Sequence, residues 1–315
     1  MENIPSVDLS DFLSGNEARK QKFIKEIGEA YEEIGFVALK SHFLSDELSE
    51  KLYQDVKAFF DLSEKIKESY QIDGIGGQRG FTSFGKESAK GKKEGDLKEF
   101  WHFGQYVASD SKYAKEYPEN VDVKELERFN EVGKKTYQML EKTAMYVLRS
   151  LALHLNLEET YFDQYIINGN SILRPIHYPP IATEPKGAER AAAHGDINLI
   201  TLLMGAHGKG LQVQNHEGQW VDAMAAPDEL MINVGDMLSR HSNNKLKSTI
   251  HRVTNPPKEL WGTSRYSIPF FMHPISEMKL DVLENCIDEN NPKQFEDITA
   301  GEFLEQRLKE LGLKK

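Results

Sequence analysis

From residue 171 onward the chain breaks into short β-type runs, SILRPIHY, INLITLLM, LQVQ, QWVDAM, LMINV, STIHRV and SIPFFM, separated by Gly, Asn, Pro and Asp turn signals. Seven such runs in about a hundred residues hide their edges best by closing on themselves, so a sandwich, jelly roll or barrel is expected.

Helical patterns surround this stretch. Residues 16–34 place Phe23, Ile24, Ile27, Tyr31 and Ile34 at three- and four-residue spacing before a stop at Gly35. Phe36–Leu39 reads as a strand. Ser45 can cap a second helix that buries Leu48, Leu52, Val56 and Phe59, and a third short helix follows Ser63. Residues 123–155 repeat apolar side chains from Leu126 to Leu155 as one long or two shorter helices, and 300–313 returns to helical spacing. Between about 74 and 104 the sequence turns to Gly, Ser, Lys and aromatics, which reads as a flexible lid. Its glycines miss the spacing of a phosphate-binding loop, and Lys86, Lys90, Lys92 and Lys93 read as a solvated basic edge. The expected organisation is mostly β with flanking helices. Residues 1–120 form an N-terminal helix and strand region carrying the lid, and 121–315 hold the long helices, a β core at about 171–275 and a C-terminal helix. The whole is read as a single catalytic unit.

Composition narrows the function. Hydrophobic residues make up 39% of the chain, enough for a substantial core. Acidic residues outnumber basic ones by 50 to 39, a net charge of −11, which argues against nucleic acid and anionic membranes as partners. A single cysteine, Cys286, excludes an internal disulfide or a Cys-based zinc cluster. No stretch approaches the ~18 apolar residues of a membrane span, and the N-terminus has no apolar signal region. A cytoplasmic protein acting on small molecules is expected, with a monomer as the default.

Of the ten histidines, only His194 is followed two residues later by a carboxylate, Asp196. On an extended segment both project to the same side, with Gly195 leaving room between them. His251 in KSTIHRV lies on a distant strand that a rolled sheet can bring alongside. Two imidazoles and one carboxylate form the facial triad of non-haem iron(II) sites, whereas a structural zinc normally takes four protein ligands. Fourteen residues on, Arg265 and Ser267 share one strand face, and a guanidinium fork beside a hydroxyl suits a carboxylate. Arg240 and Ser242 repeat the pattern inside the polar string SRHSNNK, which reads as a solvated turn, so Arg265 is favoured.

The order LRPIHYPP, HGD, GLQVQ, INVGDML, SNNKLKSTIHRV and RYSIPFF, preceded by IPSVDLSDF, GFVALKSH, GFTSFGKESAKG and DLKEFWHFG, resembles the isopenicillin N synthase-like branch of the iron(II)/2-oxoglutarate oxygenases over nearly the whole chain. The resemblance implies a distorted jelly-roll core, a double-stranded β-helix of cupin-like form. It implies His194, Asp196 and His251 on iron, Arg265 and Ser267 on the distal carboxylate of 2-oxoglutarate, and Tyr178 as a further cosubstrate contact. His177 stands where plant members commonly have Asn. The implied cofactors are Fe(II) with 2-oxoglutarate and O2 as cosubstrates. The implied activity is oxidation of an unactivated C–H by hydroxylation, desaturation or ring closure, with release of succinate and CO2.

Arg174 is a candidate for binding a substrate acid, and Phe84, Trp101, Phe103 and Phe271 are candidate pocket walls. His102, His207, His216, His241 and His273 read as structural or surface histidines, and Asp236 as a turn residue. Two rival readings stay open from sequence. One is a relative that keeps these residues but uses no keto acid, as isopenicillin N synthase and aminocyclopropane carboxylate oxidase do; the other is a non-catalytic jelly-roll binding protein.

Overall fold

Residues 4–75, 77–86, 95–185, 187–205 and 210–310 are described by the structure, a computed structural model. The N-terminal segment runs through β1 (Ser6–Asp8), α1 (Leu9–Phe12), α2 (Glu17–Glu33), β2 (Phe36–Lys40), α3 (Asp46–Phe60), α4 (Glu64–Glu68), β3 (Gly80–Thr82) and β4 (Glu99–Gly104). Then come α5 (Glu127–His154), α6 (Asp163–Ile166), β5 (Ile172–Leu173), β6 (Ile176–Tyr178), β7 (Ala191–His194), β8 (Ile200–Met204) and β9 (Leu211–Gln214). The chain continues through β10 (Trp220–Asp222), β11 (Leu230–Val234), α7 (Asp236–His241), β12 (His251–Val253), β13 (Arg265–Met272) and α8 (Ala300–Glu310).

The helices form for the reasons their sequences suggest. The Asn16 side chain caps α2 by accepting from the Arg19 N–H, and Phe23, Ile24, Ile27 and Tyr31 are its buried face. Ser45 caps α3 through the Leu48 N–H. The 123–155 pattern resolves into one helix, α5, which bears on β4 closely enough that a Cβ at Gly133 would sit 2.3 Å from Phe103 Cζ. No helix among the described residues is long and apolar enough to cross a membrane.

Nine strands form one sheet in the order β1-β2-β11-β8-β13-β5-β4-β3, with β6 pairing β13 and β4; β10-β9-β12-β7 form the other. Together they make the double-stranded β-helix, sheet-rich with flanking helices. The run SILRPIHY splits into β5 and β6 at Pro175, which has no N–H to donate, and Arg174 N bonds to Pro269 O at 2.8 Å instead. The N-terminal strands extend the same sheet, since β2 lies antiparallel to β11. They are also stitched to the segment ahead of β12. Lys247 N donates to Tyr31 O at 2.9 Å and Thr249 Oγ1 to Ile34 O at 2.6 Å, while Gly35 (φ +74°) has no space for a Cβ, which would lie 2.1 Å from Lys247 O.

Two expectations need correction. The stretch 74–104 is not all loop, because Glu99–Gly104 is a fully buried strand paired with β3. Burial on both faces erased the polar–apolar alternation that would have marked it. Lys86 is exposed, whereas Lys90, Lys92, Lys93 and His207 lie outside the described residues. Likewise SRHSNNK is not a solvated turn. Arg240 and His241 end α7, Ser242 is completely buried, and Arg240 packs over the Phe295 and Phe303 rings.

Candidate metal centre

His194 closes β7, and Asp196 stands just past the end of that strand, beyond Gly195. His251 opens β12, which runs antiparallel to β7 and sets His251 opposite His194. Sheet closure therefore delivers the two distant segments to one point. One ligand atom from each of His194, Asp196 and His251 lies within 4.8 Å of the others. Asp196 Oδ1 is 4.0 Å from His194 Nε2 and 3.8 Å from His251 Nε2.

The atoms facing away from this point are tied down. His194 Nδ1 lies 2.7 Å from Ala192 O and His251 Nδ1 lies 3.2 Å from Thr249 O, contacts that place the proton on Nδ1 and leave the Nε2 lone pairs facing inward. Asp196 Oδ2 accepts from Thr201 Oγ1 at 2.6 Å and Asn233 Nδ2 at 2.8 Å. Desolvation, with repulsion from His251, pushes His194 down to about 4, so it is neutral and ligand-competent at pH 7. Burial alone would raise the Asp196 pKa; the two imidazoles and the two hydrogen bonds outweigh it and hold the carboxyl below its usual value.

A cavity of about 70 Å³ opens beside the triad, walled by Ile176, Tyr178, Leu203, Ser267 and Phe271 among others. On β13, Arg265 sits one rung beyond Ser267 and pairs in register with Tyr178, whose ring lies 5.3 Å from the guanidinium carbon. Arg265 Nη1 is buried without a hydrogen-bond partner. An orphaned guanidinium nitrogen next to a buried hydroxyl is what the distal carboxylate of a keto acid would complete. The donor set of two neutral imidazoles and one carboxylate likewise fits a ferrous ion.

Arg174, the candidate for a substrate acid, and Phe271, a candidate wall, both line this cavity. The Arg174 guanidinium carbon is 4.4 Å from the Phe100 ring centroid and 5.1 Å from that of Phe271, and its Nε donates to His102 Nε2. Trp101 and Phe103 do not line the cavity. They point to the opposite side of β4 and pack with Phe59 and Phe129 against the helices. Successive strand residues alternate faces, so Phe100 and His102 turn the other way, toward a neighbouring cavity. Phe84 is 49% exposed and is not among the residues lining the triad cavity. His102 and His273, expected to be structural or surface groups, line a second cavity of about 370 Å³. Asp236 is not a loop turn but the first residue of α7, accepting from Ser248 Oγ at 2.6 Å and lying 3.4 Å from Arg307.

Four further residues escaped the sequence reading. Thr201 and Asn233 steer Asp196, and their signal was a polar side chain interrupting an otherwise apolar run. Lys98 lines the triad cavity, ion-paired with Asp96 at 2.8 Å, and the Arg190 guanidinium carbon lies 5.8 Å from the Tyr178 ring centroid.

Comparison with known proteins agrees with this geometry. Residues 4–125 match the family described as the non-haem dioxygenase in morphine synthesis N-terminal region, and residues 169–274 match the 2OG-Fe(II) oxygenase superfamily. The chain is 29% identical to the 2-oxoglutarate-Fe(II) type oxidoreductase hxnY of Emericella nidulans, over 97% of this chain and 89% of that protein. It is 30% identical to leucoanthocyanidin dioxygenase of Malus domestica, over 97% and 83%. Among solved structures it is similar to a protein of Caulobacter crescentus described as belonging to the 2OG-Fe(II) oxygenase family, with TM-score 0.89 and 40% identity over 99% of this chain and 100% of that one. It is also similar to a full-length Neurospora crassa protein in complex with alpha-KG and thymine, with TM-score 0.84 and 29% identity over 97% and 96%. Family match, fold and triad agree: the chain belongs to the isopenicillin N synthase-like branch of the iron(II)/2-oxoglutarate oxygenases and is a 2-oxoglutarate-dependent dioxygenase.

Proposed function

We propose that His194, Asp196 and His251 hold the iron, that Arg265 and Ser267 with Tyr178 hold 2-oxoglutarate, and that the prime substrate is a small molecule. The observation that carries this reading is the meeting of three ligand atoms from two separated segments within 4.8 Å. When bound, iron supplies the redox chemistry by which O2 converts 2-oxoglutarate to succinate and CO2 while one C–H of the substrate is oxidised. The chain supplies placement. Hydrogen bonds from Nδ1 to backbone carbonyls fix both imidazole rings, Thr201 and Asn233 fix the carboxylate, and the Arg265 fork sets the direction from which the keto acid enters. Ile176, Leu203 and Phe271 keep the small chamber poor in water. The thymine held by the Neurospora crassa protein and the name of leucoanthocyanidin dioxygenase support a small-molecule substrate. The shared sheet of β2 and β11 supports a chain working as one unit, and a cytoplasmic monomer remains the simplest form in which it would act.

The test is release of succinate from 2-oxoglutarate by the purified protein. It should require both iron(II) and O2, and it should be lost together with the bound metal in His194→Ala and His251→Ala. Full iron occupancy in either variant would show that the ligands were wrongly assigned. Iron-loaded protein that never consumes 2-oxoglutarate across a substrate screen would return the keto acid-independent reading.

A further inference from the structure

The larger cavity, about 370 Å³, is near the small end of the range for ligand sites and shares Arg174 with the cavity around the triad. Its floor is one face of a two-stranded unit. Asn170, Ile172 and Arg174 line it along one chain and His273 along the other, while Phe271, in register with Ile172, lines the triad cavity. The residues between them, Ser171, Leu173, Phe270 and Met272, are buried on the opposite side. Phe100 and His102 of the neighbouring β4 continue the same sheet face, and the rest of the lining includes Gln71, Thr82 and, from α8, Leu304 and Leu308.

On this floor two polar atoms have no hydrogen-bond partner. Asn170 is only 7% exposed, yet its Oδ1 is unpaired; so is the buried Nδ1 of His273. Native interiors rarely leave such groups unmatched, and a bound molecule with complementary groups would match them. Desolvation lowers His273 to about 4, so at pH 7 its ring offers one donor and one acceptor, as does the Asn170 carboxamide. The charged lining residues Asp73 and Lys86 are exposed and stand at the rim.

We infer that this cavity receives the prime substrate and selects a small uncharged molecule with an amide-type edge, an N–H beside a C=O, read by Asn170 and His273. The inference rests on the oxygenase reading above and adds the substrate class to it. A carboxylate could face Arg174 but would bring no N–H to Asn170 Oδ1. An ammonium could satisfy Asn170 but would meet the Arg174 cation. A cyclic amide, imide or ureide presents an N–H to Asn170 Oδ1 and a carbonyl to the His273 ring at once, and brings no charge against Arg174.

The experiment is calorimetric titration of protein loaded anaerobically with iron(II) and 2-oxoglutarate. The probes are uracil, hydantoin and 2-piperidone, with cyclohexanecarboxylate and cyclohexylamine as charged controls of similar size. The cyclic amides should bind about tenfold or more tighter than either control. Asn170→Ala and His273→Phe should each weaken them about tenfold, the loss expected for one buried hydrogen bond. Neither change should move the 2-oxoglutarate titration, followed by the charge-transfer absorption of the iron–keto acid complex, which also reports folding. Tightest binding by the carboxylate, no binding of any cyclic amide at millimolar concentration, or amide affinities within twofold of wild type in both variants would overturn the inference. Absence of the charge-transfer band would instead count against the oxygenase reading, and titration of the unloaded protein would still decide the amide preference.

Discussion

The three candidate metal ligands and the cavities beside them treat polar atoms in opposite ways. At the triad the outward-facing Nδ1 and Oδ2 atoms are all bonded within the protein. Beside it, Arg265 Nη1, Asn170 Oδ1 and His273 Nδ1 are buried without partners. The difference separates two kinds of binding. A metal site must be rigid before the ion arrives, so its supporting bonds come from the chain; a site for organic ligands is finished by the ligand.

The sharpest test of that contrast uses an orphan that lies elsewhere. Trp101 Nε1 is also unpartnered, but the ring is packed among Phe59, Tyr70 and Phe129 on the helix side of β4. Trp101→Ala should cost about 3–5 kcal/mol in denaturant unfolding and leave the KM for 2-oxoglutarate of the folded protein unchanged. A raised KM would mean that the two faces of β4 are not separate in function. Next in size, Arg265→Ala should weaken 2-oxoglutarate about a hundredfold while iron binds normally, and Arg265→Lys should recover little because one ammonium cannot reproduce the fork. Thr201→Val or Asn233→Ala should do the reverse, lowering iron affinity about 10- to 100-fold with the keto acid clamp intact. If either of these also abolished 2-oxoglutarate binding to metal-saturated protein, support and ligand sites would not be separable.

The smallest effect concerns stability alone. Burial raises Glu141 on α5 to about 7, above its unfolded value of 4.5. The native state therefore keeps a proton that the unfolded chain releases, and stability falls as pH rises from 4.5 toward 7, then levels off. Glu141→Gln should match wild type at pH 4 and be more stable by about 1–2 kcal/mol at pH 8, as read from urea midpoints at the two pH values. An equal gain at both would show that packing, not charge, governs the position.

The parts legible in the sequence were those that depend on local order. The 16–34 spacing, the cap at Ser45, the α5 repeat and the His-x-Asp spacing are all written within a few residues. What escaped depends on which side of a strand faces what. Glu99–Gly104 is buried on both faces, so nothing in DLKEFWHFG reveals that Trp101 and Phe103 turn to the helices and Phe100 and His102 to the cavity; a shift of one position inverts the assignment. His273 likewise reads as structural because no carboxylate follows it, and only the pairing of β5 with β13 brings it beside Asn170.

The stitching of Tyr31 and Ile34 to Lys247 and Thr249 has a practical corollary for anyone who would shorten or transplant this enzyme. Thr249 is two positions ahead of His251, and its carbonyl orients that ring. The first forty residues are thus a splint for a ligand more than two hundred positions downstream. A fragment cut to begin at the long helix would keep all three ligands on paper, yet would lose the brace that aims one of them.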